Sequence, residues 1–247
     1  MRTLLQYKYP VSSIGFYTNE ACFSNLIRTS LKLEFTPFGY EPLAHGGQER
    51  EIGQAENIKA VIDENPHAKF IIYCGYSHAI EDSTHNNWGL AMAGRLKRMT
   101  GIDPLTIDQV ELTETGTPPF DNAFRQVIDL DYSAVFVDGK GIAFGKAHDY
   151  KWYDANVYHP TTKFINGRPG WLYYDNKESV NVADKITIAF PCLVFAYKES
   201  EDIGQAVPVD VIELKDKHDT KKLILYKNSR YNILIKNRSG EKQLFQL

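Results

Sequence analysis

The chain has little of what usually betrays a function at sight. Cysteine is scarce, with Cys22, Cys74 and Cys192 the three among 247 residues. They form no CxxC pair and no zinc spacing. Each sits among apolar neighbours and suits a buried free thiol, with a catalytic thiol as the less favoured alternative. No apolar run approaches the ~20 residues of a membrane span, so a membrane-crossing helix is not expected. The opening MRTLLQYKYPV lacks the apolar core of a signal peptide. Its abrupt apolar start predicts a preceding unit, and an exported protein would then carry its signal there. Charge of one sign is also missing. The 28 Lys and Arg stand against 31 Asp and Glu, a net charge of −3, which excludes nucleic acid and acidic membrane as bulk electrostatic partners. A phosphate-binding glycine loop is absent, because GGQER and GKGIAFG lack the strand–GxGxxG–helix context. There is no GxSxG elbow.

What is present fits an ordinary folded chain. Hydrophobic residues make up 43% and charged residues 24%, which rules out wholesale disorder. At ~150 residues per domain the length predicts about one and a half domains. Tyr and Phe, at 15 and 13, are the surplus.

Residues 1–112 alternate strand and helix signals. Ser13–Tyr17 reads as a strand. Asn19 is placed to cap a helix over Ala21–Lys32, with Phe23, Leu26, Ile27 and Leu31 at helical spacing. Phe35–Glu41 is a strand, Arg50–Asp63 a helix stopped by Pro66, Lys69–Cys74 a buried strand, Trp88–Met99 a helix and Leu105–Leu112 a further strand. The expected fold class is therefore α/β, a parallel sheet with flanking helices over residues 1–147. An aromatic-rich connecting segment at 148–177 follows. The strand-like runs VNVADKITIAF from Val180, Cys192–Lys198, VPVDVIEL, KLILY and Tyr231–Asn237 predict a small antiparallel β-sandwich-like domain over residues 178–247. Tyr150, Trp152, Tyr153, Tyr158, Phe164, Trp171, Tyr173 and Tyr174 crowd the connecting segment. They fit a seam between domains, with a stacking platform for a flat ligand as the less favoured use.

Parallel sheets carry their sites at the carboxyl ends of their strands. Those ends bear Glu41, then Gly75-Tyr76-Ser77-His78, then Asp108-Gln109. Arg50, Gln54 and Asn57 form a polar stripe on the helix that follows Glu41. A part-buried Arg50 wants a carboxylate, and Glu41 is a plausible partner. The pair is either structural or grips an anionic substrate group. His78 follows a buried strand and a glycine, and suits a general base or a metal ligand. With Glu81 and His85 it gives H-x-x-E-x-x-x-H, which matches no zincin pattern.

The order Tyr40-Glu41, Arg50-Glu51-x-x-Gln54-Ala55-x-Asn57-Ile58 and Gly75-x-x-His78 resembles the superfamily that joins erythromycin esterases, ChaN-like haem-binding lipoproteins and TraB/Tiki proteins. The resemblance spans residues 10–112. It implies an α/β fold with two GxxH motifs, glutamates and an arginine around one site. On that likeness His78, Glu41 and Arg50 are the catalytic candidates, and His78 and Glu41 the metal ligands. Gln54, Asn57, Gln109 and Asp108 are the expected substrate contacts. The activity implied is hydrolysis of an ester or peptide bond, dependent on a divalent metal or on a His/Glu pair. The alternative is a non-catalytic haem- or glycan-binding protein, so the expected partner is a small molecule or a peptide. The first GxxH motif has no counterpart here, since residues 1–12 contain no histidine. A scaffold role for the β region is a third reading.

Overall fold

The computed structural model describes residues 6–43, 46–82, 88–144 and 152–247. The chain forms two compact units. One joins the residues through Gly39 to Thr162–Leu247, and the other is Tyr40–Thr161.

The first unit is mainly β. A four-stranded antiparallel sheet runs in the order β11 (Lys242–Gln246), β10 (Tyr231–Asn237), β7 (Cys192–Lys198), β8 (Asp210–Leu214). Alternation builds its core, as in any sheet with one buried face. Cys192, Val194 and Ala196 of β7 face inward with Tyr231, Ile233 and Ile235 of β10 and Ile212 and Leu214 of β8. Strands β6 (Lys177–Val180) and β9 (Leu223–Tyr226) make a separate antiparallel pair, and so do β4 (Phe164–Ile165) and β5 (Arg168–Pro169). The expected strands at Cys192–Lys198 and Tyr231–Asn237 are present at those bounds. The run from Val180 is instead strand only to Val180, followed by a turn at Ala183–Lys185.

Helix α1 (Ala21–Lys32) belongs to this unit and has the expected bounds. Its cap differs from expectation: Glu20, not Asn19, accepts from the Phe23 amide at 2.8 Å. Asn19 is occupied instead with the carbonyls of Ser12 and Gly15. Two polar side chains tie α1 to the β residues. Arg28 donates to both carboxylate oxygens of Glu201, at 2.8 and 2.6 Å, and Asn25 to the Val209 carbonyl at 2.8 Å. The ends of the chain thus share one unit, where the sequence reading placed residues 1–147 together. Long-range side-chain contacts, which no local pattern displays, set that division.

The second unit packs helix α2 (Gly47–Glu64) on helix α3 (Met92–Thr100). The buried face of α2 is Glu51, Gln54, Ala55 and Ile58, and that of α3 is Met92, Ala93, Gly94 and Leu96. Helix α2 ends at Glu64, with Asn65 as its cap before Pro66, where a stop was expected; α3 ends at Thr100 and is capped by Gly101 at φ +71°. Residues 88–91 precede α3 rather than open it. Helix α4 (Ala123–Val127) is short. Close approach, not flexibility, explains Gly94: a Cβ there would lie 2.3 Å from the Glu81 carbonyl oxygen.

Sheet structure in this unit is sparse. Strand β1 (Ile107–Asp108) pairs in parallel with β3 (Ala155–Tyr158), and β2 (Ala134–Val135) pairs antiparallel with β3. Three of the expected strands differ. Ser13–Tyr17 of the other unit forms short 3-10 turns, and Phe35–Glu41 and Lys69–Cys74 enter no sheet among the described residues. Lys69–Cys74 is not buried on both faces either, since Ile71 and Tyr73 are exposed. A side chain links the neighbourhood of the two segments: the Tyr40 hydroxyl donates to the Tyr73 carbonyl at 2.6 Å. The chain is therefore a mixed α and β protein with several small antiparallel sheets.

Candidate functional site

The polar residues of α2 and the segments beside it converge within the second unit. Glu41 is the hub at the outer edge. It accepts from Arg50 Nε at 2.5 Å and Nη2 at 3.3 Å, and its Oε2 also accepts from Gln54 Nε2 at 2.8 Å. Arg50 and Gln54 reach it together because i and i+4 share a helix face. Gly53 makes the approach possible, since a Cβ there would lie 2.7 Å from Pro42 Cβ. The Arg50 hydrogen bond, with lesser help from Gln54, the Arg50 charge and His78, holds the Glu41 carboxyl below its ordinary range despite some burial. The expected Glu41–Arg50 pairing is thus present, and both side chains remain open to solvent at 54% and 36%.

His78 lies on a short 3-10 turn, Tyr76–Ala79, where its amide donates to the Gly75 carbonyl. Its Nδ1 stands 2.7 Å from Oε1 of Glu51. That oxygen lies off the direction of a ring N–H, so the contact is a close approach rather than a directed hydrogen bond. The His78 ring also stacks on Trp88, with centroids 5.5 Å apart and planes 10° from parallel. Glu51 is 1% exposed. Its second oxygen accepts from the Met92 amide at 2.8 Å, which seats a carboxylate on the N-terminus of α3, where the helix dipole favours it.

Glu51 is the residue that the sequence reading left out of the site. The signal for it was available. Glu51, Ala55 and Ile58 fall at i, i+4 and i+7, so a carboxylate occupies the apolar stripe of α2. A charge at a core-facing position needs a partner.

Two neighbours complete the cluster. Burial pushes the Cys74 thiol up to about 11, with the Glu51 charge adding to it. Cys74 is therefore protonated near neutrality and a poor nucleophile. Burial likewise raises the Tyr40 hydroxyl, with the Glu41 carboxylate and, in alkali, the Cys74 thiolate adding.

The remaining expected residues divide. Gln54 is in the cluster, and its Oε1 is buried without a hydrogen-bond partner. Asn57 holds the backbone instead, donating to the Tyr40 carbonyl at 2.9 Å. Asp108 is 3% exposed and caps its own turn: it accepts from the amides of Val110 and Glu111 and from Asn156 Nδ2. Gln109 is exposed. No contact joins Asp108 or Gln109 to the Glu41 cluster among the described residues, because the two-residue strand β1 ends in that capped turn.

For a metal, Glu41 and His78 stand apart in their bonding, one on Arg50 and Gln54, the other beside Glu51. Glu81 faces Thr106 and Lys97, at 2.7 and 2.8 Å. His85 lies outside the described residues, as does Tyr150 of the aromatic group. Among the described residues no three His, Cys, Asp or Glu are placed to hold a metal ion. The other aromatics divide between the units: Tyr153 and Tyr158 are buried in the second, while Trp171 and Tyr174 of the first are exposed.

No family model, curated protein or solved structure matches the chain.

Proposed function

We propose that the chain is a hydrolase of ester or peptide bonds that uses His78 as its general base and Glu51 as the carboxylate that orients it. The carrying observation is the 2.7 Å approach of buried Glu51 to His78 Nδ1. A carboxylate on one ring nitrogen fixes the imidazole and leaves the other, Nε2, to take a proton from water. The hydroxide so formed adds to the substrate carbonyl, and the imidazolium returns the proton to the leaving group. The off-line geometry of the pair suits a site that tightens when substrate arrives. The unpartnered Gln54 Oε1 beside the pair supports the reading, because a buried polar atom without a partner calls for an explanation such as a working site. Arg50 sits at the open edge, where its N–H groups not directed at Glu41 face an oxyanion or an anionic substrate group.

A divalent metal in this reading would draw on His78 Nε2 and on donors beyond the Glu41–Arg50 pair. The likeness to erythromycin esterases and Tiki proteins supports hydrolysis through Glu41, Arg50 and His78. The parallel β1–β3 pairing supports an α/β architecture behind the site. The alternative reading, on the ChaN-like resemblance of Gly75-x-x-His78, is a flat ligand such as haem bound without turnover.

The test is hydrolysis of p-nitrophenyl esters and of a fluorogenic peptide by the purified chain, with and without added divalent cations. Activity lost in His78→Ala is the expected result. An inert chain under all conditions overturns hydrolysis. A Soret shift with haemin in that inert chain then establishes the alternative.

A further inference from the structure

Strands β2 and β3 bring a serine and a histidine together at the end of their ladder. Ala134 lies opposite Tyr158 and Val135 opposite Val157, so Ser133 and His159 are the next residues to face each other. Their side chains meet, with Ser133 Oγ 3.0 Å from His159 Nδ1. Ser133 is exposed and His159 half-buried. Burial holds the His159 imidazolium below its ordinary range, which keeps the ring neutral near pH 7. With the ring proton on Nε2, Nδ1 accepts from the serine hydroxyl. That is how a hydroxyl nucleophile stands to its base.

The surface beside the pair is apolar. Side chains alternate along a strand and opposed residues share a face, so Ser133 and His159 share theirs with Val135, Val157 and Ala155. Ile107 of β1 lies opposite Ala155 and joins them. Burial alternates through Leu105, Thr106, Ile107 and Asp108, which puts Leu105 on the same side. Val135 and Ile107 are 46% exposed and Leu105 75%. The polar residues Asp108 and Asn156 point the other way and are buried. The common order of a one-sided sheet, apolar in and polar out, is reversed here. An uncharged apolar track therefore lies open beside the serine.

We propose that Ser133 and His159 form a nucleophile–base pair that accepts the acyl group of aliphatic esters, whose chain lies along this apolar track. Ser133 Oγ adds to the ester carbonyl carbon while its proton passes to His159 Nδ1. The tetrahedral adduct collapses, the bond to the leaving oxygen breaks, and the imidazolium gives that proton to the departing alkoxide. The products are an acyl ester of Ser133 and a free alcohol, with the ring neutral again. The pair shares no residue with the Glu51–His78 site and does not depend on it.

The test is covalent labelling of the full chain and of its His78→Ala variant, read by intact mass and peptide mapping after an acid quench. The probes are an alkyl fluorophosphonate and p-nitrophenyl octanoate. The expected result is one adduct on Ser133 with each probe in both proteins, which separates this site from the Glu51–His78 reading. His159→Gln, folded by circular dichroism, slows labelling by about 10²-fold, because the amide still bonds to Ser133 but takes no proton. Octanoate transfers at least ~10-fold faster than p-nitrophenyl acetate, since its added methylenes leave water on the track, and Val135→Asn removes that preference. No adduct on Ser133, or labelling of His159→Gln at the wild-type rate, overturns the proposal. Equal rates for octanoate and acetate overturn the apolar track as the seat of the chain.

Discussion

Glu51 Oε1 stands 2.7 Å from His78 Nδ1, while its Oε2 accepts from the first amide of α3 at 2.8 Å. One buried carboxylate thus joins the candidate base to a helix N-terminus. Glu51→Gln keeps the size and an acceptor for Met92 but removes the charge that orients the ring. The expected outcome is a fall in kcat on the order of 10²-fold or more, with little change in KM. Steady-state kinetics beside His78→Ala are the check. Unchanged kcat in Glu51→Gln, with activity lost in His78→Ala, removes Glu51 from the mechanism.

The Glu41 carboxyl titrates below the ordinary Glu range of about 4.3, chiefly through its hydrogen bond from Arg50. A depressed folded-state pKa contributes stability that is present above the unfolded value and lost as pH falls through the folded value. The Glu41–Arg50 contribution is therefore full at neutral pH and disappears only in acid. Carbon-detected NMR of the Glu41 side chain measures the midpoint. In Arg50→Met it moves up toward the ordinary value; an unmoved midpoint denies Arg50 that role.

Gly53→Ala improves helix propensity by up to about 1 kcal/mol but sets a methyl where Pro42 Cβ stands 2.7 Å away. The overpacking costs about 1–3 kcal/mol where neighbours cannot give. Pro42 and Glu41 must shift off α2, so the Glu41 carboxyl rises toward its ordinary range and activity falls. The same carbon-detected titration, with an activity assay, follows both effects. A variant with wild-type Glu41 titration and activity shows that the close approach is not needed.

In the first unit Arg28 and Glu201 are paired with side chains 7% and 3% exposed. Removing one partner of such a pair leaves a buried charge and costs about 3–5 kcal/mol. Glu201→Gln is expected to lower unfolding stability by that order in urea, with the midpoint moved and the slope unchanged. A loss below about 1 kcal/mol identifies the pair as solvent-accessible in solution.

Part of this molecule is legible in residue order. Helical spacing located α1 and α2, strand signals located β7 and β10, and a part-buried Arg50 pointed to a carboxylate partner at Glu41. These features depend on neighbours within about two helical turns, where side-chain geometry is set by the backbone period. Strand β11 and the turns at Ser13–Tyr17 were less legible, because short polar or mixed segments carry weak periodicity.

The rest belongs to the tertiary structure. A continuous apolar run such as Lys69–Cys74 does not make a sheet strand unless a partner supplies a ladder. Asp108 and Asn57 look like site residues by position, yet their polar atoms are consumed by nearby backbone and by Asn156. The decisive pairing, Glu51 with His78, spans 27 positions and depends on how α2 meets the turn after Gly75. The sequence by itself determined which side chains could do chemistry and which helix face carried them. Only the fold decided which met, because burial and distance depend on packing between segments far apart in the chain.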